Sequence, residues 1–262
     1  MSSQLQPRTF TESLAALLEK GVKYSNVIDI GCADGHFYLS HHAAGLFPGA
    51  SVLNIDANPI YEDSLRAIKE VMGGHYFIGA ITDRAGEIEL TTSVHPYWNS
   101  LRPPGDSYWS HINDLHVGTM TVPGQTLDSL ADKLSLQPPF LLKLDIQGAE
   151  LSALSGAPRV LQETEIVICE ADLDDFQTIH ETLVAAGFNL FDITGLNWLA
   201  DRTLGWFYPV YLNQRLSHIR RRPFWNEAQN AQVIQIQTDR RKAILEHNAA
   251  LLNKQRALRD RK

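Results

Sequence analysis

The run Val27-Ile28-Asp29-Ile30-Gly31-Cys32-Ala33-Asp34-Gly35 is apolar until it breaks into a turn with two glycines. An open α/β sheet makes a nucleotide-sized crevice in this way, at the carboxyl end of a strand. Gly31 and Gly35 can take left-handed dihedrals and place no Cβ between backbone and ligand. The spacing then selects among ligands. A dinucleotide turn would run Gly-x-Gly-x-x-Gly and seat a pyrophosphate on the following helix, whereas the middle position here is Ala33 with Asp34 beside it. A carboxylate at that point repels phosphate and suits a ligand with a cationic or hydroxyl-bearing end. S-adenosylmethionine, which carries an ammonium and a sulfonium and no phosphate, is the cofactor this pattern predicts.

A second acid completes the pattern. Ser51 to Asp56 reads as a strand ending in a carboxylate, 22 residues after Asp34, and such a group can accept hydrogen bonds from both ribose hydroxyls. Asn58 and Pro59 turn the chain at once and leave room for an adenine. The predicted cofactor-binding set is Asp29, Gly31, Cys32, Asp34 and Gly35 on the first turn, Asp56, Ala57 and Asn58 on the second, and Ile81 and Thr82 at the end of a third strand.

The elements that must position these residues follow from the hydrophobic pattern. Apolar runs at Tyr76 to Ile81, Phe140 to Asp145 and Ile166 to Glu170 are separated by helical patterns, and near-continuous apolar strands are what a parallel sheet buried on both faces requires. The fold class is therefore α/β, a doubly wound Rossmann-like sheet. Ile179 to Ala186 reads as a helix, with Phe188 to Asp192 and Trp206 to Leu212 as closing strands, and Pro209 points to an edge or bulge. Thr9 to Glu12 reads as a capping box for an N-terminal helix that ends near Gly21. Gly86 to Thr91 alternates like a strand. Ser93 to Thr119 reads as a long loop rich in aromatics and histidines, too aromatic for disorder.

Three parts are expected: an N-terminal helix over 1–25, a catalytic domain over 26–212 with an added β and aromatic-loop insertion, and a basic helical tail over 213–262. The tail holds twelve Lys or Arg against four acids, a net +8, which leaves −15 for the remainder of a chain whose total is −7. Such a cluster can mark contact with a polyanion or an acidic membrane surface, although an exposed helix is often simply solvated by its charges, and Ile244, Leu251 and Leu258, seven apart, suit packing on the helix's own domain or on a second subunit of a homo-oligomer. No nucleic-acid partner is expected. With 44% hydrophobic and 20% charged residues and no apolar run near 18, the composition is that of a water-soluble globular chain without a membrane span. The absence of a basic and apolar leader, and two unpaired-looking cysteines at 32 and 169, predict a reducing cytoplasm.

Leu142-Lys143-Leu144-Asp145-Ile146-Gln147-Gly148-Ala149-Glu150, with Leu154-Ser155-Gly156-Ala157 after it, resembles the hallmark of the FkbM family of S-adenosylmethionine-dependent methyltransferases. The resemblance extends to Val27 to Gly31, Asp56, Asn58-Pro59, Thr126-Leu127-Asp128, Glu170 and Gly187-Phe188, over roughly residues 26 to 212. It implies a class I methyltransferase sheet and methyl transfer to a hydroxyl of a carbohydrate, glycolipid or polyketide-type acceptor. One departure is Cys32-Ala33-Asp34, where the family more usually has Ala-Asn-x before the second glycine.

Transfer to a hydroxyl needs a collinear arrangement and a group that takes the hydroxyl proton. Asp145, at the end of the fourth strand, is the first candidate base. Lys143 lies two residues earlier on the same sheet face, where it can hold Asp145 ionised or form a structural ion pair with an acid such as Glu170. Glu150 is a third catalytic candidate, although an acid in the first turn of a helix is also explained by the macrodipole. A divalent metal such as magnesium is left open. His95, His111 and His116 match no compact ligand spacing, and His41-His42 reads as helix surface. Trp98 and Trp109 suit either stacking on an acceptor or anchoring of the loop. A nicotinamide-dependent dehydrogenase is disfavoured by Ala33 and Asp34, and a catalytically inactive binding or scaffold subunit by the joint presence of Gly31, Gly35, Asp56 and Asp145.

Overall fold

Thr9 caps the first helix, α1 (Phe10–Glu19): its hydroxyl accepts from the Glu12 backbone N–H while the Glu12 carboxylate accepts from the Thr9 N–H, so the expected capping box is present. The structure is a computed structural model that describes residues 9–102, 116–220 and 227–259. The chain forms two compact units, Met1–Ser217 and His218–Lys262.

In the first unit the chain continues through β1 (Asn26–Ile30), α2 (His36–Ala43), β2 (Ser51–Asp56), α3 (Glu62–Met72) and β3 (His75–Ile78). A side sheet of β4 (Ala80–Ile81), β5 (Gly86–Ser93) and β6 (His116–Gln125) comes next, then α4 (Leu127–Lys133), β7 (Phe140–Leu144), α5 (Glu150–Ser155) and α6 (Pro158–Gln162). The last elements of this unit are β8 (Thr164–Cys169), β9 (Ala171–Asp172), α7 (Phe176–Ala185), β10 (Phe188–Trp198) and β11 (Leu204–Asn213). The short helix α8 (Ser217–Arg220) begins at the boundary.

The main sheet has the order β10-β11-β8-β7-β1-β2-β3, with β9 paired to β11. Strands β1, β2, β3, β7 and β8 are parallel, and β11 runs antiparallel to both β8 and β10. Val27, Ile28, Leu53, Leu142 and Val167 are fully or almost fully buried, which explains why the parallel strands carry continuous apolar runs. From β1 the chain winds outward through β2 and β3, then returns to the other side of β1 as β7. The β1–β7 boundary is the point where the strand order reverses, and a crevice opens there beyond the carboxyl ends of the strands. The expected doubly wound α/β class is what the chain forms.

Three details depart from the expectation. The third apolar run is two strands: His75–Ile78 pairs with β2, and after Gly79 the chain crosses so that Ala80–Ile81 pairs with β6. Gly79 permits the crossing, since a Cβ there would lie 2.5 Å from the Pro123 carbonyl. The segment expected to be loop to Thr119 is strand β6 from His116 onward, antiparallel to β5; its Gly118, Pro123 and Gly124 hid the alternation. Pro209 is not on an edge strand. It falls where the neighbour of β11 changes from β9 to β8, a break in the ladder that tolerates a residue without an N–H.

In the second unit α9 (Glu227–Arg259) is one long helix. Ile234, Ile236, Ile244, Leu245 and Leu251 are exposed along it, two of them from the seven-residue repeat. Among the described residues no helix is long and apolar enough to cross a membrane.

Candidate active site

The turn after β1 follows from its dihedrals. Gly31, Ala33 and Gly35 have φ of 75°, 48° and 82°, and the chain reverses tightly between strand and helix. The glycines serve the protein's own packing. A Cβ on Gly31 would sit 1.8 Å from the Asp145 carbonyl oxygen, and one on Gly35 would strike Ile68 at 2.3 Å. The expected role, clearing space for a ligand, is thus secondary to letting the end of β7 and helix α3 close on the turn.

Almost every amide donor of this turn is already spent. The N–H groups of Gly31 and Cys32 donate to the Ile55 carbonyl, that of Gly35 to the Cys32 carbonyl, that of Ala33 to Asp56 Oδ2 at 2.8 Å, and that of His36 to Asp34 Oδ1 at 3.2 Å. Asp34 thereby sits over the N-terminus of α2, where a phosphate would otherwise bind. A pyrophosphate would find two carboxylates and few open donors. A phosphate-free, cationic ligand with hydroxyls fits this donor set, as S-adenosylmethionine does. Asp56 Oδ1 also accepts the Asn58 N–H at 2.8 Å, and each of its oxygens keeps a lone pair for a further donor. Burial pushes the Asp56 carboxyl up to about 6.

The turn opens onto a cavity of about 980 Å³, within the usual range for a small-molecule site. Of the predicted cofactor set, Gly31, Cys32, Asp34, Asp56, Ala57, Asn58 and Ile81 line it. Asp29, Gly35 and Thr82 are not in the lining. Asp29 lies beneath, fully buried against Lys143; the Thr82 hydroxyl donates to the Arg84 carbonyl at 2.6 Å, and its own carbonyl packs on Gly156.

At the carboxyl ends of β7 and β8, and on the part of the antiparallel β11 beside them, a polar cluster faces the same cavity. Lys143 Nζ lies 3.1 Å from Asp29 Oδ1, 3.3 Å from the Gly31 carbonyl and 3.3 Å from Asp145 Oδ2. Its ion-pair partners are therefore Asp29 and Asp145, and the alternative pairing with Glu170 is not formed. Burial opposes the Lys143 charge, but Asp145 and Asp29 outweigh it and hold the ammonium above its ordinary pKa. The Tyr208 hydroxyl is 3.1 Å from Asp145 Oδ2 and 3.2 Å from Glu170 Oε1. On the other side Gln147 Nε2 donates to Asp145 Oδ1 at 3.2 Å and to Glu170 Oε2 at 2.9 Å. Burial and the neighbouring Asp145 raise Glu170 well above the carboxylate range, and burial with the two acids raises Tyr208, which stays a phenol.

Glu150 does not join this cluster. Its Oε1 accepts the Ile146 N–H at 3.0 Å behind the turn, and burial pushes it up to about 7. His41, expected on the helix surface, is buried and lines the cavity; Nδ1 is 2.7 Å from the Phe37 carbonyl, and burial lowers its pKa. Trp98 lines the cavity, whereas Tyr108, Trp109 and His111 lie outside the described residues. Sequence reasoning did not select Gln147, Glu170, Tyr208, Trp198 or Trp206 for the site. Gln147 and Glu170 lay within the family resemblance, but nothing in the spacing set Tyr208 apart from its apolar strand. Among the described residues no group of three or more His, Cys, Asp or Glu is placed to hold a metal ion.

The methyltransferase FkbM domain family matches residues 29–190, well over half of the chain, from the end of β1 to the start of β10. The chain belongs to this family of S-adenosylmethionine-dependent methyltransferases. Among solved structures, an FkbM methyltransferase from Methylobacillus flagellatus is similar at 17% identity over 79% of this chain and 48% of that one, with a TM-score of 0.46. The chain thus spans about half the length of that relative. Fibrillarin from Aeropyrum pernix with natively bound S-adenosyl-L-methionine is similar at 15% identity, covering 75% of this chain and 73% of that one (TM-score 0.40). The fibrillarin pre-rRNA processing protein of Methanococcus jannaschii is similar at 13% identity over 77% and 74% of the two chains (TM-score 0.40). Comparison with curated proteins finds no match. In this FkbM domain the hallmark Lys143, Asp145, Gln147 and Glu150 run from the end of β7 through the following turn to the first residue of α5, the first three of them in the cavity wall.

Proposed function

We propose that this FkbM-family protein transfers a methyl group from S-adenosylmethionine to a hydroxyl of a small-molecule or glycan acceptor, of the carbohydrate, glycolipid or polyketide type. The observation that supports the reading most directly is Asp145, a carboxylate at the cavity wall whose orientation is set by Lys143, Tyr208 and Gln147. S-adenosylmethionine held between Asp34 and Asp56 would supply an electrophilic methyl group to the acceptor oxygen, with its sulfur as the leaving group that keeps the electron pair.

The chain's residues supply the rest. Asp56 is oriented by two backbone N–H groups to accept from ribose hydroxyls, and Asp34 offers a charge to a cationic end. Asp145 Oδ1, which accepts the Gln147 amide, has a second lone pair for the acceptor's O–H and takes up its proton. Lys143 balances the Asp145 charge from below, and Phe10, Trp98 and Trp206 give the cavity the apolar walls that exclude water.

Thermal shift tests the cofactor: S-adenosylmethionine and S-adenosylhomocysteine should raise the melting temperature, as a ligand of the native state must. Stabilisation by a nicotinamide dinucleotide and not by S-adenosylhomocysteine would sink the reading. Incubation of a panel of hydroxyl-bearing acceptors with methyl-labelled cofactor tests the oxygen specificity, and label recovered on nitrogen or carbon would overturn it.

A further inference from the structure

The phenol of Tyr208 has one proton, yet its oxygen lies within hydrogen-bond distance of two carboxyl groups, Asp145 Oδ2 at 3.1 Å and Glu170 Oε1 at 3.2 Å. The amide of Gln147 donates one N–H to each of the same two groups. A buried Glu170 and a half-buried Asp145, both ionised and bridged in this way, would place adjacent negative charges against the single ammonium of Lys143, which lies beside Asp145. One carboxyl proton removes the conflict and completes the hydrogen-bond count. We infer that Glu170 carries this proton, donating it to the Tyr208 oxygen while Tyr208 donates to an ionised Asp145, so that Glu170 and Tyr208 are positioning residues for the base.

The direction of the chain follows from its surroundings. Lys143 sits next to Asp145, and the negative charge stays there. Glu170 is faced instead by Glu150 from α5, Tyr208 from β11, and Asp172 and Asp175, which share a small cleft with it, the Asp175 charge being met there by Arg102. Burial and the neighbouring acids Asp145 and Glu150 raise its pKa and outweigh the opposing charge of Lys143, in agreement with the geometry. Oε2 of the neutral acid is then the carbonyl oxygen that accepts from Gln147, and Oε1 the hydroxyl that donates. When the acceptor hydroxyl gives its proton to Asp145, both carboxyls are briefly neutral until one proton returns to water. The catalytic consequence rests on the proposed function, whereas the place of the proton is a property of the free protein.

Difference infrared spectroscopy of the full chain without ligand tests the inference. The spectra are recorded above the pH range in which Asp56 (about 6) and Glu150 (about 7) ionise. The wild type should show protonated-carboxyl intensity that Glu170→Gln lacks; identical spectra of the two in that region would overturn the assignment. Tyr208→Phe removes the oxygen that receives the proton and should shift the band to higher wavenumber; an unmoved band would show that the proton points elsewhere. In turnover, Glu170→Ala should lose about tenfold and Glu170→Gln should recover most of it, because an amide can donate to Tyr208 and accept from Gln147. Equal losses in the two variants would refute the positioning role. Failure of the methyltransferase reading would leave no turnover to compare and would not alter the infrared result.

Discussion

Asp56 and Asp145 stand at the carboxyl ends of the two strands that flank β1, and both face the same cavity, yet they are held by different means. Asp56 is gripped by main chain: the N–H groups of Ala33 and Asn58, which lie on the two neighbouring turns, donate to its two oxygens. Asp145 is gripped by side chains: Lys143 from its own strand, Gln147 from the following turn and Tyr208 from a strand 63 residues on. A main-chain grip depends on the path of the backbone and tolerates most side-chain changes. A side-chain grip can be dismantled one group at a time, with each removal leaving a buried polar partner unmet. The binding half of the crevice should therefore fail with the fold, and the reacting half should fail by degrees.

The largest effect is expected from Gly31→Ala, which acts on both halves at once. Its Cβ would overlap the Asp145 carbonyl at a φ of 75°, and the strain and overpacking should cost about 3 kcal/mol in urea unfolding. Unchanged stability would mean that the ends of β1 and β7 are not held together as described. Asp145→Asn should lower turnover by roughly a hundredfold while S-adenosylhomocysteine affinity changes only a few-fold. Wild-type turnover in that variant would make Asp145 structural and erase the contrast between the two acids.

Asp56→Ala should do the opposite, weakening S-adenosylhomocysteine binding by about 1 to 3 kcal/mol in calorimetry. Its pH dependence sharpens the point. Burial raises Asp56 above the ordinary value of 3.8 to about 6, so the folded chain favours the protonated acid. The stability this group contributes is present below 3.8 and is lost as pH rises through about 6. Ribose hydroxyls need the ionised acceptor, and cofactor affinity should therefore fall as pH drops below about 6 in the wild type and stay flat in Asp56→Ala. A wild-type affinity independent of pH across that range would remove Asp56 from the binding site.

The smallest effect is expected from the second unit. Truncation after Ser217 should leave S-adenosylhomocysteine stabilisation intact, since the crevice is built entirely within the first unit. We propose that the exposed row including Ile244 and Leu251 self-associates, so that Leu251→Asp lowers the mass seen by light scattering at any salt concentration. An unchanged mass would return the helix to the role of a solvated, basic surface.

The elements around Asp56 were legible because each signal is local. An apolar run of strand length, a glycine where the backbone must turn left-handed, and an acid at a strand end are properties of five to nine consecutive residues. The same locality made the capping box of Thr9 and Glu12 readable. Legibility was lost where two glycines and a proline interrupt β6, and where one apolar run is shared between two sheets at Gly79. Glu150 shows the limit from the other side: its type and position suit catalysis, but the turn before it directs the carboxylate to the Ile146 N–H and away from the cavity.

What the sequence by itself determined is the α/β class, the two acid-bearing strand ends, the phosphate-averse turn and the family signature at Lys143 to Glu150. Only the tertiary structure decided which groups meet there. It put Tyr208 between Asp145 and Glu170, gave Lys143 to Asp29 and Asp145, and buried His41 in the cavity wall. The physical reason is that a strand's burial is set by its own side chains. The partner of a buried charge is set by the order and register of strands far apart in the chain, and by the desolvation that makes an unpaired charge there untenable.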